Sequence, residues 1–233
     1  MKNRVKIAAV IPAAGVGSRM QLNFPKQYLV IQDQTILEHT TNKLLALPCI
    51  STVLIAISHE DEYFSDISFS DTRVSACLGG ASRAESVFNA LQHLRDDNPD
   101  WVLVHDAARP LVQPADISTL ITQCLENDEG GILASRVKDT IKQGDTNIEK
   151  TVPRERLWSA LTPQMFKFGE LLAAIEQGLK EAPNTITDEA SAMERLCLPV
   201  QLVSGRSDNI KITSPEDYEL ACYLLDKQKE NAQ

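Results

Sequence analysis

Short β-branched runs alternating with helix-start signals constrain this chain more than any other feature of it. Ile7 to Ile11 and Val53 to Ile57 are brief apolar stretches with no polar residue inside them, the pattern of strands covered on both faces. Trp101 to Val104 and Ile132 to Leu133 have the same character, and Val200 to Val203 closes the series. Between them lie helices with explicit starts. Thr35 stands three residues before Glu38, and Ser82 three before Glu85, so each pair reads as a capping box. The first leads into Ile36, Leu37, Leu44 and Leu45, the second into Val87, Phe88, Leu91 and Leu94, at helical spacing. Ser214-Pro215-Glu216-Asp217 offers an N-cap, a proline at the first helical position and acids in the first turn. Alternation of this kind implies βαβ units with right-handed crossovers, hence a doubly wound, mainly parallel, Rossmann-like α/β sheet. In such sheets ligands bind beyond the carboxyl ends of the strands, so the residues just after each strand are the first to inspect.

One stretch breaks the alternation. From about Arg136 to Ser159 the chain is polar and reads as two short β-like pieces around Gln143-Gly144-Asp145. It is either a surface hairpin on its own domain or an arm that meets a second subunit, and periodicity does not choose. The remainder shows no repeat or low-complexity tract, and only Lys227 to Gln233 looks frayed. At 233 residues the expectation is one domain over 1–233 with the polar stretch 136–159 inserted in it.

Composition narrows the partners. Hydrophobic residues make up 43% and charged ones 24%, which argues against disorder. A formal net charge of -9 makes tracking along a polyanion unfavourable, so no nucleic-acid partner is expected, and any local cluster of cations becomes more informative. The apolar run Ile7 to Ala14 is too short to span a bilayer and leads into a glycine turn rather than a cleavage site; no membrane segment is expected. Five scattered cysteines without a C-x-x-C pair suggest neither a disulfide framework nor a zinc site, and a reduced cytoplasm is the expected compartment.

Three segments could carry chemistry. Pro12-Ala13-Ala14-Gly15-Val16-Gly17-Ser18-Arg19-Met20 follows the first strand, and its two glycines let backbone N–H groups approach phosphate oxygens. An ordinary βα turn has similar glycines. Here, however, Arg19 lies in the loop and Lys26 follows in Pro25-Lys26-Gln27, and polyphosphate chemistry needs several cations around the transferred charge. A P-loop would need G-K-[ST] after the second glycine, and a dinucleotide fingerprint would need a small residue where Met20 stands; both are absent. The second segment, Val102 to Pro110, places Asp106 at the end of a buried strand, either to hold Mg²⁺ or to cap the turn, with Arg109 beside it to pair with Asp106 or face a phosphate. His105 reads as a packed neighbour. The third, Gly79 to Ser86, is a Gly-Gly turn opening a helix, suited to a base edge or an anion and equally to a plain junction. Further on come Thr185-Ile186-Thr187-Asp188-Glu189 and the segment Ser204 to Thr213. In the latter, Asp208 and Lys211 form either a salt-bridged loop or a second metal-side acid with a substrate cation.

In this order, P-A-A-G-x-G-x-R…P-K-Q, V-H-D-A-A-R-P, L-T-P-Q, I-T-D-E-A-S and D-N-I-K-I-T resemble the 2-C-methyl-D-erythritol 4-phosphate cytidylyltransferases of the non-mevalonate isoprenoid route, from Val5 to the helix at Ser214. The ribitol-5-phosphate cytidylyltransferases are the related family to distinguish. The resemblance implies transfer of CMP from CTP to methylerythritol phosphate with Mg²⁺ or another divalent cation. It implies nucleotide contacts at Ala13, Ala14, Gly15, Gly80, Ala81 and Ser86, with Ala81 standing where relatives often carry an acid. Arg19 and Lys26 would embrace the triphosphate, with Asp106 and Asp208 on the metal side. Arg154, Thr162 and Lys211 would position the acceptor, with Arg109 and Thr187 in the binding set. The resemblance makes 136–159 a dimerisation arm that would reach a partner's site, giving a homodimer with composite sites. A phosphate monoester is already an anionic nucleophile, so the inventory of cations and N–H donors, without a Ser/His or Cys/His pair, suits the reaction.

Overall fold

The computed structural model describes residues 5–15 and 24–230, and it turns each of the expected apolar runs into a strand. In chain order the strands are β1 (Ile7–Pro12), β2 (Val30–Ile31), β3 (Gln34–Thr35), β4 (Ile50–Ile57), β5 (Val74–Leu78) and β6 (Trp101–Val104). They continue with β7 (Gly131–Arg136), β8 (Ile141–Gln143), β9 (Lys150–Val152), β10 (Trp158–Lys167) and β11 (Gln201–Ser204). The helices are α1 (Ile36–Leu45), α2 (Arg83–His93), α3 (Pro114–Asn127), α4 (Phe168–Glu181), α5 (Glu189–Arg195) and α6 (Pro215–Glu230).

One seven-stranded sheet has the order β11-β7-β10-β6-β1-β4-β5. β1 lies parallel to β4 and β6, with Val10 opposite Leu54 on one side and Val104 on the other. β4 and β5 are parallel, as are β7 and β11; β10 runs antiparallel between β6 and β7. The pleat sorts side chains by parity. Ile7, Ala9 and Ile11 pack with Leu37, Leu44, Ile117 and Leu120 of α1 and α3. Ala8 and Val10 pack with Val87, Leu91, Leu171 and Ile175 of α2 and α4 on the opposite face. A third cluster seats Ala221 and Leu225 of α6 on Ile31, Ile36, Leu111 and Ile212. The result is the doubly wound, mainly parallel α/β sheet the alternation implied.

The helix starts are those read from the sequence. Thr35 Oγ1 accepts from Glu38 N at 3.1 Å while Thr35 N donates to Glu38 Oε2 at 2.7 Å. Ser82 and Glu85 repeat the exchange at 3.1 and 2.9 Å. Asp217 N donates to Ser214 Oγ at 3.3 Å and Ser214 N to Asp217 Oδ2 at 2.9 Å, starting α6. α6 holds its helix through Glu230, so the expectation of fraying is corrected for 227–230, where i,i+3 pairing of Lys227 with Glu230 at 2.6 Å supports the last turn; residues 231–233 lie outside the described residues. The polar stretch forms the hairpin β8–β9, with Gly144 at φ +148 where a Cβ would collide with Asn147 O. Its flanks belong to the sheet: Arg136 ends β7 and Trp158 begins β10. Between Ala160 and Gln164 the β7–β10 register shifts, so Leu161, Thr162 and Pro163 stand opposite Leu133 alone, and the Thr162–Pro163 peptide is cis.

Candidate active site

The carboxyl ends of β1, β4, β5 and β6 converge at one rim, because these strands are parallel and adjacent. Ala13 N extends the β1 ladder by donating to Ala56 O at 2.8 Å, and buried Gln27 donates to Ala13 O at 2.6 Å, which ties the turn after β1 to the Lys26–Tyr28 turn. After β5, Gly80 N donates to Ser86 Oγ at 3.0 Å, Ser86 Oγ donates to Ser82 O at 2.9 Å, and Asn89 donates to Gly79 O at 2.9 Å. The Gly-Gly turn is thereby wrapped onto the start of α2. It has room for nothing larger than glycine: a Cβ at Gly79 would lie 2.7 Å from Ala14 Cβ and 2.9 Å from Ser86 Oγ.

These pieces enclose a cleft of about 230 Å³ walled by Ala13, Ala14, Gly15, Gly80, Ala81 and Ser86 on one side and by Lys26, Asp106 and Lys211 on the other. Ala81 is exposed there. Lys26 Nζ donates to Ile212 O at 2.6 Å, holding the ammonium at the cleft. A second cleft of about 210 Å³ adjoins the first through shared Arg83, Asp106 and Lys211, and adds Arg109, Thr162 and Thr187. Thr187 N donates to Ser191 Oγ at 3.1 Å in the box that starts α5.

Asp106 is the centre of the wall. Its Oδ1 accepts from Arg83 Nε at 2.8 Å; its Oδ2 faces Lys211 Nζ at 2.9 Å and Arg109 Nε at 3.4 Å. Burial would raise this carboxyl, but Arg83, Lys211 and Arg109 outweigh it and hold it well below the ordinary carboxylate range. Behind it Arg83 forks onto buried Glu189, Nη1 at 2.7 Å and Nη2 at 3.1 Å. Burial of Glu189 is the dominant influence on that carboxyl and raises it, against the pull of Arg83. Among the described residues, the four cations Lys26, Arg83, Arg109 and Lys211 stand against the three carboxylates Asp106, Asp188 and Glu189, so the clefts are net positive by one charge in a chain of net charge -9.

Under this wall runs a hydrogen-bond chain whose direction is set by the carbonyl at its end. Arg109 O can only accept, so His105 Nε2 carries the ring proton and donates to it at 3.1 Å; Nδ1 of the neutral ring then accepts from Thr162 Oγ1 at 2.8 Å, and Thr162 Oγ1 accepts from Asp106 N at 3.1 Å. His105 is fully buried and neutral, with burial pushing it down to about 4. Asn209 completes the frame, donating to Thr162 O at 2.8 Å and accepting from Arg109 Nη1 through its carbonyl at 2.7 Å.

A sequence model of the IspD family, 2-C-methyl-D-erythritol 4-phosphate cytidylyltransferase, matches residues 7–227. The chain belongs to this family. A relative of that name from Pseudoalteromonas translucida is 56% identical over 233 residues, covering 100% of this chain and 96% of the relative. One from Colwellia psychrerythraea is 50% identical, covering 99% of each. The crystal structure of the Francisella tularensis 2-C-methyl-D-erythritol 4-phosphate cytidylyltransferase superposes with a TM-score of 0.82 at 34% identity, over 94% of this chain and 99% of that one. As a member, the chain is a cytidylyltransferase, an enzyme of CTP-dependent cytidylyl transfer in isoprenoid precursor synthesis.

Of the candidate site residues, Ala13, Ala14, Gly15, Lys26, Gly80, Ala81, Ser86, Asp106, Arg109, Thr162, Thr187 and Lys211 line one lobe or the other. Arg19 lies outside the described residues. Arg154 lines neither lobe; it sits exposed on the arm and its Nη1 donates to Lys138 O. Asp208 is turned away: it pairs with Arg206, whose Nε lies 2.9 Å from Oδ1, and it lines neither lobe. A metal held between Asp106 and Asp208 therefore does not fit these residues. Both Asp106 oxygens are taken by cations, and among the described residues no group of three or more His, Cys, Asp or Glu side chains is assembled for a metal ion. Sequence reasoning gave no role to Arg83 and Glu189. The available signal was an arginine at the first position of a helix, where the positive end of the helix dipole disfavours it.

Proposed function

We propose that the larger lobe holds CTP and the adjoining lobe the phosphate of 2-C-methyl-D-erythritol 4-phosphate, and that an acceptor phosphate oxygen attacks the α-phosphorus in line, expelling pyrophosphate. One observation carries the division: the lobes share Arg83, Asp106 and Lys211, so the two anions meet at a single charged wall. The Gly-Gly turn and Ala13 to Gly15 present backbone to a base and ribose, and Lys26 with Arg19 neutralises the triphosphate. Lys211 and Arg109 take the acceptor phosphate, with Thr162 ordering the rim between them. No covalent intermediate is involved, so CTP chiral at a thio-substituted α-phosphorus should give product of inverted configuration. Retained configuration would mean two displacements and an enzyme nucleophile, and would overturn the scheme.

Mg²⁺ belongs to this reading as a requirement of the nucleotide rather than of a protein cage, since the charge around Asp106 is already positive. We also read the chain as one nucleotidyltransferase domain over 1–233 whose arm, 136–159, joins a homodimer and carries Arg154 to the partner's acceptor lobe. The support is its exposure and its lack of any place in its own chain's clefts. Among the described residues no helix is long and apolar enough to cross a membrane, and all five cysteines are free, as in a reducing cytoplasm.

A further inference from the structure

We infer that Glu189 is a positioning residue for the reaction, acting through Arg83 to fix the carboxylate of Asp106. The inference rests on the proposed two-lobe division. The chain of contacts is short. Glu189 opens α5, is 1% exposed, and accepts both terminal N–H groups of Arg83 at 2.7 and 3.1 Å. That fork fixes the plane of the guanidinium and with it the direction of Nε–H, which points at Asp106 Oδ1 at 2.8 Å. With Oδ1 held, Oδ2 is turned to Lys211 at 2.9 Å and Arg109 at 3.4 Å, the other two cations of the acceptor lobe.

Charge and helix position agree with this role. Arg83 stands at the start of α2, where the dipole disfavours a cation, whereas Glu189 stands at the start of α5, where it favours an anion. A local rule broken at a half-buried position, with its compensation supplied by a buried carboxylate 106 residues away, marks a site that serves something other than the helix. Glu189 neutralises Arg83, so the charge of Asp106 remains available to Lys211 and Arg109. Without it Arg83 would draw Asp106 toward itself and leave the acceptor cations unordered.

Two variants separate positioning from mere support, assayed by pyrophosphate release with thermal melts of the same samples. Glu189→Asp keeps the charge but retracts the carboxylate by one methylene. Displacement of a catalytic frame by about 1 Å costs on the order of 10²-fold, so kcat should fall by about that factor with KM for CTP nearly unchanged. The double variant Arg83→Met/Glu189→Leu replaces the buried ion pair by apolar side chains of similar size, a change that is often neutral for stability. It should melt near the wild-type temperature and yet keep the low kcat. Wild-type kcat in folded Glu189→Asp, or in the folded double variant, would reduce the pair to a structural strut and overturn the inference; whichever variant folds decides.

Discussion

Acid should destabilise this protein through His105 in a way one substitution can isolate. His105 is buried, and burial holds it at about 4 against the 6.5 of an exposed imidazole. A folded-state pKa below the unfolded one means that acid favours the unfolded state. The stabilisation tied to this group is complete above about pH 6.5 and is lost as pH falls toward 4. From these two values the loss between pH 7 and pH 5 is about 2 kcal/mol, rising to about 3 kcal/mol at pH 4. Geometry supplies the cause. Nδ1 accepts from Thr162 Oγ1 at 2.8 Å, so a proton placed there meets a hydroxyl whose own proton has no other acceptor in the chain from Asp106 N to Arg109 O. Urea unfolding at pH 7 and pH 5 on wild type and His105→Gln measures the effect, because carboxylates common to both cancel in the difference. Wild type should lose about 2 kcal/mol more than the variant over this interval. Equal losses would show that His105 is not buried neutral, and the assigned direction of the Thr162–His105 bond would fall with it.

Further outcomes follow from the same contacts. Lys26→Ala and Arg19→Ala should each lower turnover by on the order of 10²–10³-fold, the loss typical of one preorganised donor, and near-normal pyrophosphate release by either would remove it from the triphosphate. Arg154→Ala should act mainly as a raised KM for the acceptor, since its place is on the arm; a change confined to KM for CTP would contradict the division of lobes. Arg73 caps the Leu45, Leu47 and Ile50 carbonyls at 2.8, 3.2 and 3.1 Å, remote from both lobes, so Arg73→Ala should cost about 1–3 kcal/mol in urea unfolding and leave kcat unchanged.

What could be read in advance was what local chemistry determines. β1, β4 and β6 announced themselves because parallel strands buried on both faces must be continuously apolar, and α1 and α2 because a capping box is a three-residue signal. β10 did not. Its buried span contains Thr162 and Gln164, which satisfy their polar atoms through His105, Asp106, Asp188 and Ala190, partners distant in sequence. α5 begins with Asp188 and Ser191, an unfamiliar form of the same box. In the site, glycine turns and single cations were legible from their place after strands. The Arg83–Glu189 pair was not, because it joins the starts of two helices that only the finished sheet brings together. Asp208 misled for the converse reason: its nearness to Lys211 in sequence did not survive folding, which gave it to Arg206 and gave Lys211 to Asp106.

The most direct measurement is pyrophosphate release by the purified protein with CTP and Mg²⁺, comparing 2-C-methyl-D-erythritol 4-phosphate with ribitol 5-phosphate as acceptor. Release with the methylerythritol phosphate and little with the ribitol phosphate is the predicted result. Release with ribitol phosphate alone, or with neither, would contradict the assignment of the second lobe.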